Sequence, residues 1–186
     1  MGVIKAGAGS KAEEIRTALV RYLADHSFSR VEFHDTTNPS NNPLEDNYVV
    51  TYEAVFEPVD LEHAYLKIFV TDCGEVGIGL ETRERIARRL GVRLYRGKKA
   101  FATGRELASI SVEELIHFVA IVAQGNVVLQ AKIGLTGFGS VKAIVKPESA
   151  GTLKGANARQ WDWLTVSAKD LKNTSRTRIV QFDPWQ

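Results

Sequence analysis

The sequence is poor in residues that form cross-links or bind metals. Cys73 is the single cysteine in 186 residues, which excludes an internal disulfide and a zinc site built from several thiolates. The histidines are widely spaced, and no two of them form a His-x-x-x-His or His-Glu-x-x-His pair. They are His26, His34, His63 and His117. We therefore expect neither a bound metal nor another cofactor.

Long apolar runs are also missing. No run reaches the roughly 18 residues that a membrane span requires, and the first residues contain no signal-peptide core. The hydrophobic content of 44% and the charged content of 25% are ordinary for a globular protein. We therefore expect a cytoplasmic protein without membrane contact. Its length favours a single domain over residues 1–186, with frayed tails at 1–9 and 183–186.

Sequence motifs of catalysis are missing as well. There is no Gly-x-Ser-x-Gly elbow, and the glycine-rich stretch at 134–139 matches neither a P-loop nor a dinucleotide fingerprint. That stretch predicts a hairpin turn. Cys73 stands beside Asp72 and close to Glu75, and neighbouring negative charge disfavours the reactive thiolate. The sequence therefore indicates no catalytic residue, no cofactor-binding residue and no metal ligand.

The stretch from 47 to 81 shows the clearest pattern that is present. Apolar and polar residues alternate there with period two, which is typical of half-buried strands. Short connections separate three such segments, so they form an antiparallel meander. The predicted strands are Tyr48–Glu57, His63–Val70 and Glu75–Glu81.

The strand registers follow from matching the inward residues. Across the first hairpin, residue numbers that sum to 120 place Glu53 opposite Lys67 and Glu57 opposite His63. Across the second hairpin, a sum of 146 leaves a three-residue loop that ends in glycine. Gly74 should then adopt the left-handed conformation that this loop needs.

Three helices are predicted from caps and helical spacing. The first covers about 10–25 and begins with a capping box at Ser10; the second covers about 82–90, between a Thr82 cap and a terminating Gly91. The third, about 111–124, has a capping box from Ser111 to Glu114 and should be the central packing helix. Further strands are expected at 29–34, 126–133 and 141–146, with a last pair at 161–166 and 176–182. The fold class is α+β, with a mostly antiparallel sheet built on the meander.

Charge is segregated along the chain although the net charge is only +2. Counting Lys and Arg against Asp and Glu, residues 1–80 have a net charge of −7, residues 81–106 of +6, and the remainder of +3. Such asymmetry is typical of a surface for nucleic acid or a charged partner, but the two halves can equally neutralise each other in the fold.

Two charged surfaces are candidates for binding. The basic segment 83–105 combines phosphate-attracting charge with aromatic rings, although no named nucleic-acid motif is present. The loop 36–46, with the acidic face of the first meander strand, is the second candidate. The candidate residues are Arg85, Arg88, Arg89, Arg93, Lys98, Lys99, Glu45, Asp46, Glu53 and Glu57.

A strip without side chains is expected in the third strand of the meander. Gly77 and Gly79 both point away from the buried face, and glycine in a strand is typical of a close approach by backbone or ligand. The covering group is either the chain itself, for example the third helix, or a bound partner.

These patterns favour a non-catalytic binding protein that recognises another protein. An immunity-type or antitoxin-like partner is one example that fits the size and the charge segregation. The alternative is a nucleic-acid-binding module that uses the basic segment. A third hypothesis is a metal-assisted hydrolase that assembles His34, Asp35 and Asp72 at strand ends.

Overall fold

The structure is a computed structural model that describes residues 8–39, 49–91, 107–108, 110–134, 137–145, 164–166 and 174–186. The helices in these ranges are α1 (Ala8–Asp25), α2 (Arg83–Leu90) and α3 (Val112–Ala123). The strands are β1 (Val31–Thr37), β2 (Val50–Pro58), β3 (Leu66–Thr71), β4 (Val76–Leu80), β5 (Leu107–Ala108), β6 (Val127–Gly134), β7 (Gly137–Val145), β8 (Leu164–Val166) and β9 (Thr177–Gln181).

The strands form two sheets. The first has the order β1-β2-β3-β4-β5 and the second has the order β8-β7-β6-β9. Every pairing between these described strands is antiparallel except that of β7 with β8. The predicted α+β class with a mostly antiparallel meander is confirmed, but the division into two sheets was not predicted. β8 and β9 fall within the last two predicted strands, and they lie at opposite edges of the second sheet.

The second hairpin of the meander has the predicted register, and the first does not. Val70 lies opposite Val76, and Gly74 adopts φ +78° in the connecting turn. In the first hairpin Phe56 lies opposite Leu66, two residues away from the predicted partner. A shift of two residues keeps every side chain on its face, so the apolar pattern cannot distinguish the two registers.

The changed register alters the predicted charge pairs on the outer side of the sheet. Lys67 lies opposite Val55, but its Nζ still reaches Glu53 Oε2 diagonally at 2.5 Å. The predicted pair of Glu57 with His63 is wrong. His63 is buried, and its Nδ1 lies 2.6 Å from Asp60 Oδ1.

Local signals at three of the helix ends are confirmed. Thr82 caps α2, and Gly91 ends that helix in the left-handed conformation. Ser111 and Glu114 form the predicted capping box of α3, where each residue's side chain accepts from the other's backbone N–H. The cap predicted at Ser10 is wrong, because α1 already begins at Ala8.

One hydrophobic cluster contains residues from both sheets and from all three described helices. The C-terminal residues complete this cluster. Trp185 is fully buried and stacks on Phe56, with ring centroids 4.9 Å apart. Its indole N–H donates to the Ala64 carbonyl at 3.0 Å. The prediction of a frayed tail at 183–186 is therefore wrong.

Candidate functional site

An acidic patch lies on the outer side of the first sheet, and we call it the acidic face. It consists of Glu32 on β1 with Glu53 and Glu57 on β2. Glu32 lies directly opposite Glu57 in the β1–β2 ladder, and both side chains are exposed. Like charges in directly opposite positions of a sheet are destabilising. The fold therefore places two acidic residues in directly opposite positions of a ladder, an arrangement that does not favour its stability.

Neighbouring side chains compensate the charge of the acidic face only in part. Lys67 forms an ion pair with Glu53. The ring of His34 lies 3.6 Å from the Glu32 carboxylate, and both side chains are more than half exposed. An exposed pair of this kind interacts weakly in water. Among the contacts of the described residues, the negative charge of Glu57 is thus the least compensated of the three.

The negative charges of these carboxylates act on the hydroxyl group of Tyr65. The pKa of its hydroxyl is raised to about 12, first by burial and then by the negative charges of Glu57 and Glu53. The half-buried Val55 lies between the same strands, opposite His34 and Lys67. The acidic face therefore combines exposed charge with partly buried apolar and aromatic groups.

The arginines of α2 differ from one another in their surroundings. The Arg85 side chain donates to the carbonyls of Asp60 and His63, at 2.5 and 3.0 Å. Its Nε also donates to the Glu81 carboxylate at 3.0 Å. Arg85 therefore holds the loop between β2 and β3 against the start of α2.

Glu81 is the buried partner of Arg85. Its side chain accepts from the Tyr65 backbone N–H at 2.9 Å, and its backbone has φ +65°, which is rare outside glycine. Burial raises the pKa of Glu81 above its ordinary value, against the lowering effect of Arg85. Strained residues with buried charge often mark functional sites. Here the carboxylate is surrounded by structural hydrogen bonds, which fits a role in the fold.

Arg89 is engaged in a similar way. It donates to the carbonyls of Leu61 and Gln181, and its guanidinium lies 5.0 Å from the centre of the Phe182 ring. Burial lowers the pKa of Arg89. Arg88, in contrast, is 67% exposed and contacts only the exposed Glu84 among the pairs described. Of these three predicted binding residues, Arg88 alone extends into solvent.

Several predicted binding residues lie outside the described residues. They are Arg93, Lys98, Lys99, Glu45 and Asp46. Only residues 83–91 of the basic segment and residues 36–39 of the loop are therefore described.

The structure does not bring the residues of the hydrolase hypothesis together. Asp35 lies opposite Ala54, and Ala54 lies opposite Ile68. Asp72 lies four residues beyond Ile68, which separates it from Asp35 by roughly 13 Å along the strands. His34 points to the other face of the sheet, because successive side chains alternate. Within the described ranges, no three His, Cys, Asp or Glu residues are grouped as metal ligands.

The strip beside Gly77 is filled by the chain itself. A Cβ atom at this position would overlap the ring of Phe69, the residue directly opposite on β3. Gly79 lies opposite Lys67 and is also buried. Internal cover is confirmed at Gly77, but the covering group is Phe69 and not the third helix.

Sequence reasoning missed two features of this region. Glu32 is not among the predicted binding residues. Its alternation with Val31 and Phe33 indicates the outer face, but it does not indicate which strand lies beside β1. The contact between Asp60 and His63 was also missed. Their spacing of three residues in a short loop is the signal that could have indicated it.

In the part of the chain that the structure describes, no helix is long and apolar enough to cross a membrane. No protein-family model, no curated protein and no solved structure matches the chain. The function of the acidic face is therefore inferred from its own chemistry.

Proposed function

We propose that this chain is a non-catalytic, cytoplasmic binding protein whose acidic face recognises a basic surface of another protein. The observation that supports the proposal is the exposed pair of Glu32 and Glu57 in directly opposite positions. Residues that oppose the stability of a fold are expected where they serve a function. A lysine or arginine from a partner would relieve the repulsion and gain two attractive interactions.

The surroundings of this pair favour a protein as the partner. Protein interfaces combine charged groups at the rim with aromatic and apolar groups at the centre. Tyr65 and Val55 provide such groups beside the carboxylates. An immunity-type or antitoxin-like inhibitor of a basic protein is one class that fits. A nucleic acid would instead be repelled by this face.

The alternative function, nucleic-acid binding by the basic segment, has less support. A phosphate-binding arginine needs donors that are free to reach the ligand. Arg85 and Arg89 use theirs on backbone carbonyls and, for Arg85, on Glu81 as well. Of the described candidates in this segment, only Arg88 is exposed enough to contact a nucleic acid. Nucleic-acid binding therefore depends on residues outside the described ranges.

The proposal is tested with a fluorescent oligolysine peptide as a minimal basic probe. Its affinity is measured by anisotropy for the unmodified protein and for a variant with Glu32→Lys and Glu57→Lys. The matched control carries Glu13→Lys and Glu14→Lys, which make the same charge change on exposed positions of α1. A single-stranded oligonucleotide is measured alongside.

We expect the acidic-face variant to lose at least about tenfold in affinity, since two charged contacts of roughly 1 kcal/mol each are removed. The control should lose much less. Binding of oligolysine should weaken as salt rises from about 0.05 to about 0.5 M. Equal losses in the two variants, or no binding at low salt, would contradict the proposal. Tight oligonucleotide binding by the acidic-face variant and the unmodified protein alike would favour the alternative function.

A further inference from the structure

β1 lies at the edge of the first sheet, with β2 as its one described neighbour. Two backbone hydrogen bonds at the ends of β1 show which of its N–H and C=O groups face β2. The Asn38 N–H donates to the Thr51 carbonyl at 2.8 Å, and the Val59 N–H donates to the Arg30 carbonyl at 3.1 Å. In an antiparallel ladder, backbone groups point alternately toward and away from the neighbouring strand. The even-numbered residues of β1 therefore pair with β2.

The odd-numbered residues direct their backbone groups to the open edge. They are Val31, Phe33, Asp35 and Thr37, and no described strand pairs with them on that side. A row of unpaired N–H and C=O groups is a template for an added strand. The edge is seven residues long, which is enough for a continuous ladder.

Among the residues that the structure describes, this edge lacks the usual protection against strand addition. Natural edges are commonly blocked by lysine, by proline or by an inward-pointing charge. β1 contains neither lysine nor proline. Its one inward-pointing charge, Asp35, is neutralised by Arg16, whose Nε lies 3.0 Å from the carboxylate. Tyr52 lies against the same carboxylate at 3.5 Å.

The side chains of β1 define what an added strand must contain. Glu32, His34 and Thr36 are exposed on the acidic face, whereas Val31 and Phe33 are half-buried and pack against the core. Side chains of an added strand would alternate between these two environments. Basic residues would meet the acidic face, and apolar residues would extend the core.

We propose that the open edge of β1 binds an extended segment of the partner, in which basic and apolar residues alternate. The inference rests on the proposed function and specifies how the basic partner docks. Main-chain hydrogen bonds would supply affinity, and the alternating side chains would supply specificity. A second copy of this chain fits less well, because it would place two acidic faces side by side.

The test uses a peptide of alternating lysine and valine, with amide hydrogen exchange followed residue by residue by NMR. We expect exchange at Val31, Phe33, Asp35 and Thr37 to slow by at least about tenfold when the peptide binds. Exchange at the even-numbered residues, which already pair with β2, should change little. The same peptide with N-methyl groups on alternate residues should lose this effect, because it cannot donate to the edge.

A variant provides a second measurement. Thr37→Pro removes one edge donor without removing a ladder bond to β2, and proline is tolerated at such edge positions. The control Thr37→Val keeps the donor and the branched shape. We expect Thr37→Pro to lower the affinity for the lysine–valine peptide by about 3- to 10-fold, which corresponds to the loss of one hydrogen bond. The affinity for oligolysine should be unchanged.

The outcomes separate the two proposals. If oligolysine fails to bind, the proposed function fails. If both peptides bind at the acidic face while the odd-numbered amides stay unprotected, the edge inference alone is overturned. The edge inference would also be overturned if the edge amides were already protected in the free protein and sedimentation showed that the protein is a dimer.

Discussion

The ring of Phe69 lies across Gly77, its cross-strand partner on β4, and occupies the space that a side chain at 77 would need. Both faces of β4 are buried as a result. Glycine is thus required at 77 for packing, and the conformation of its backbone plays no part.

We predict that Gly77→Ala destabilises the protein by about 1–3 kcal/mol, the usual cost of overpacking. In a Phe69→Ala background the same change should cost much less, and urea unfolding of the double-mutant cycle measures that coupling. Gly74→Ala is the control, because nothing lies within 4 Å of a Cβ there and its cost of about 1 kcal/mol comes from φ +78°. That cost should not depend on Phe69. An unchanged Gly77→Ala cost in the Phe69→Ala background would contradict the packing explanation.

The arginines of α2 should separate into structural and surface residues. Arg89→Ala is expected to cost about 1.5–3 kcal/mol, because it removes charged hydrogen bonds to the carbonyls of Leu61, Glu62 and Gln181. Arg88→Ala should change stability by less than about 0.5 kcal/mol, since its pair with Glu84 is exposed. Chemical denaturation of both variants provides the comparison, and equal effects would argue against this division. Tests of nucleic-acid binding should therefore change Arg88 and leave Arg89 intact.

The acidic face should be more stable with a charge reversed. We predict that Glu57→Lys raises the free energy of unfolding by about 0.2–1 kcal/mol, because an attraction to Glu32 replaces a repulsion. Glu57→Gln should give a smaller gain. Both gains should decrease in high salt, which screens exposed charges. A loss of stability in Glu57→Lys at low salt would show that the carboxylate has a structural role.

Glu81 should make the stability depend on pH. Burial raises its folded pKa above the ordinary value of 4.5. Between these two values the folded protein binds more protons than the unfolded chain, so the contribution of this residue to stability falls as the pH rises. Relative to Glu81→Gln, the unmodified protein should therefore gain stability as the pH is lowered toward 4.5. Urea unfolding at several pH values measures the difference, and a gain on raising the pH would contradict the prediction.

Features with local causes were predictable from the sequence. The caps at Thr82 and Ser111 depend on residues within one turn, and the register of the second hairpin depends on a short loop ending in Gly74. The first hairpin has a longer connection, which Arg85 holds through the carbonyls of Asp60 and His63. No local pattern indicates those contacts, so the predicted register was two residues away from the observed one.

The candidate site was predictable only in part. Glu53 and Glu57 are predictable because period-two alternation within one strand places them on one face. The position of Glu32 opposite Glu57 requires the pairing of β1 with β2, which alternation within a single strand cannot provide. The engagement of Arg89 depends on carbonyls from the distant residues Leu61 and Gln181. Helical spacing alone left this arginine indistinguishable from Arg88.

The indole of Trp185 bonds to a carbonyl that precedes it by 121 residues and fills the space between Phe28 and Phe56. During synthesis, β1 and β2 leave the ribosome long before this ring is available. Until the Trp185 ring docks, the space between Phe28 and Phe56 in the apolar layer of the first sheet is therefore unfilled. Because contacts of such sequence separation slow folding, docking of Trp185 is expected to be a late event. Nascent chains stalled before residue 185 should consequently be prone to aggregation and should depend on chaperones.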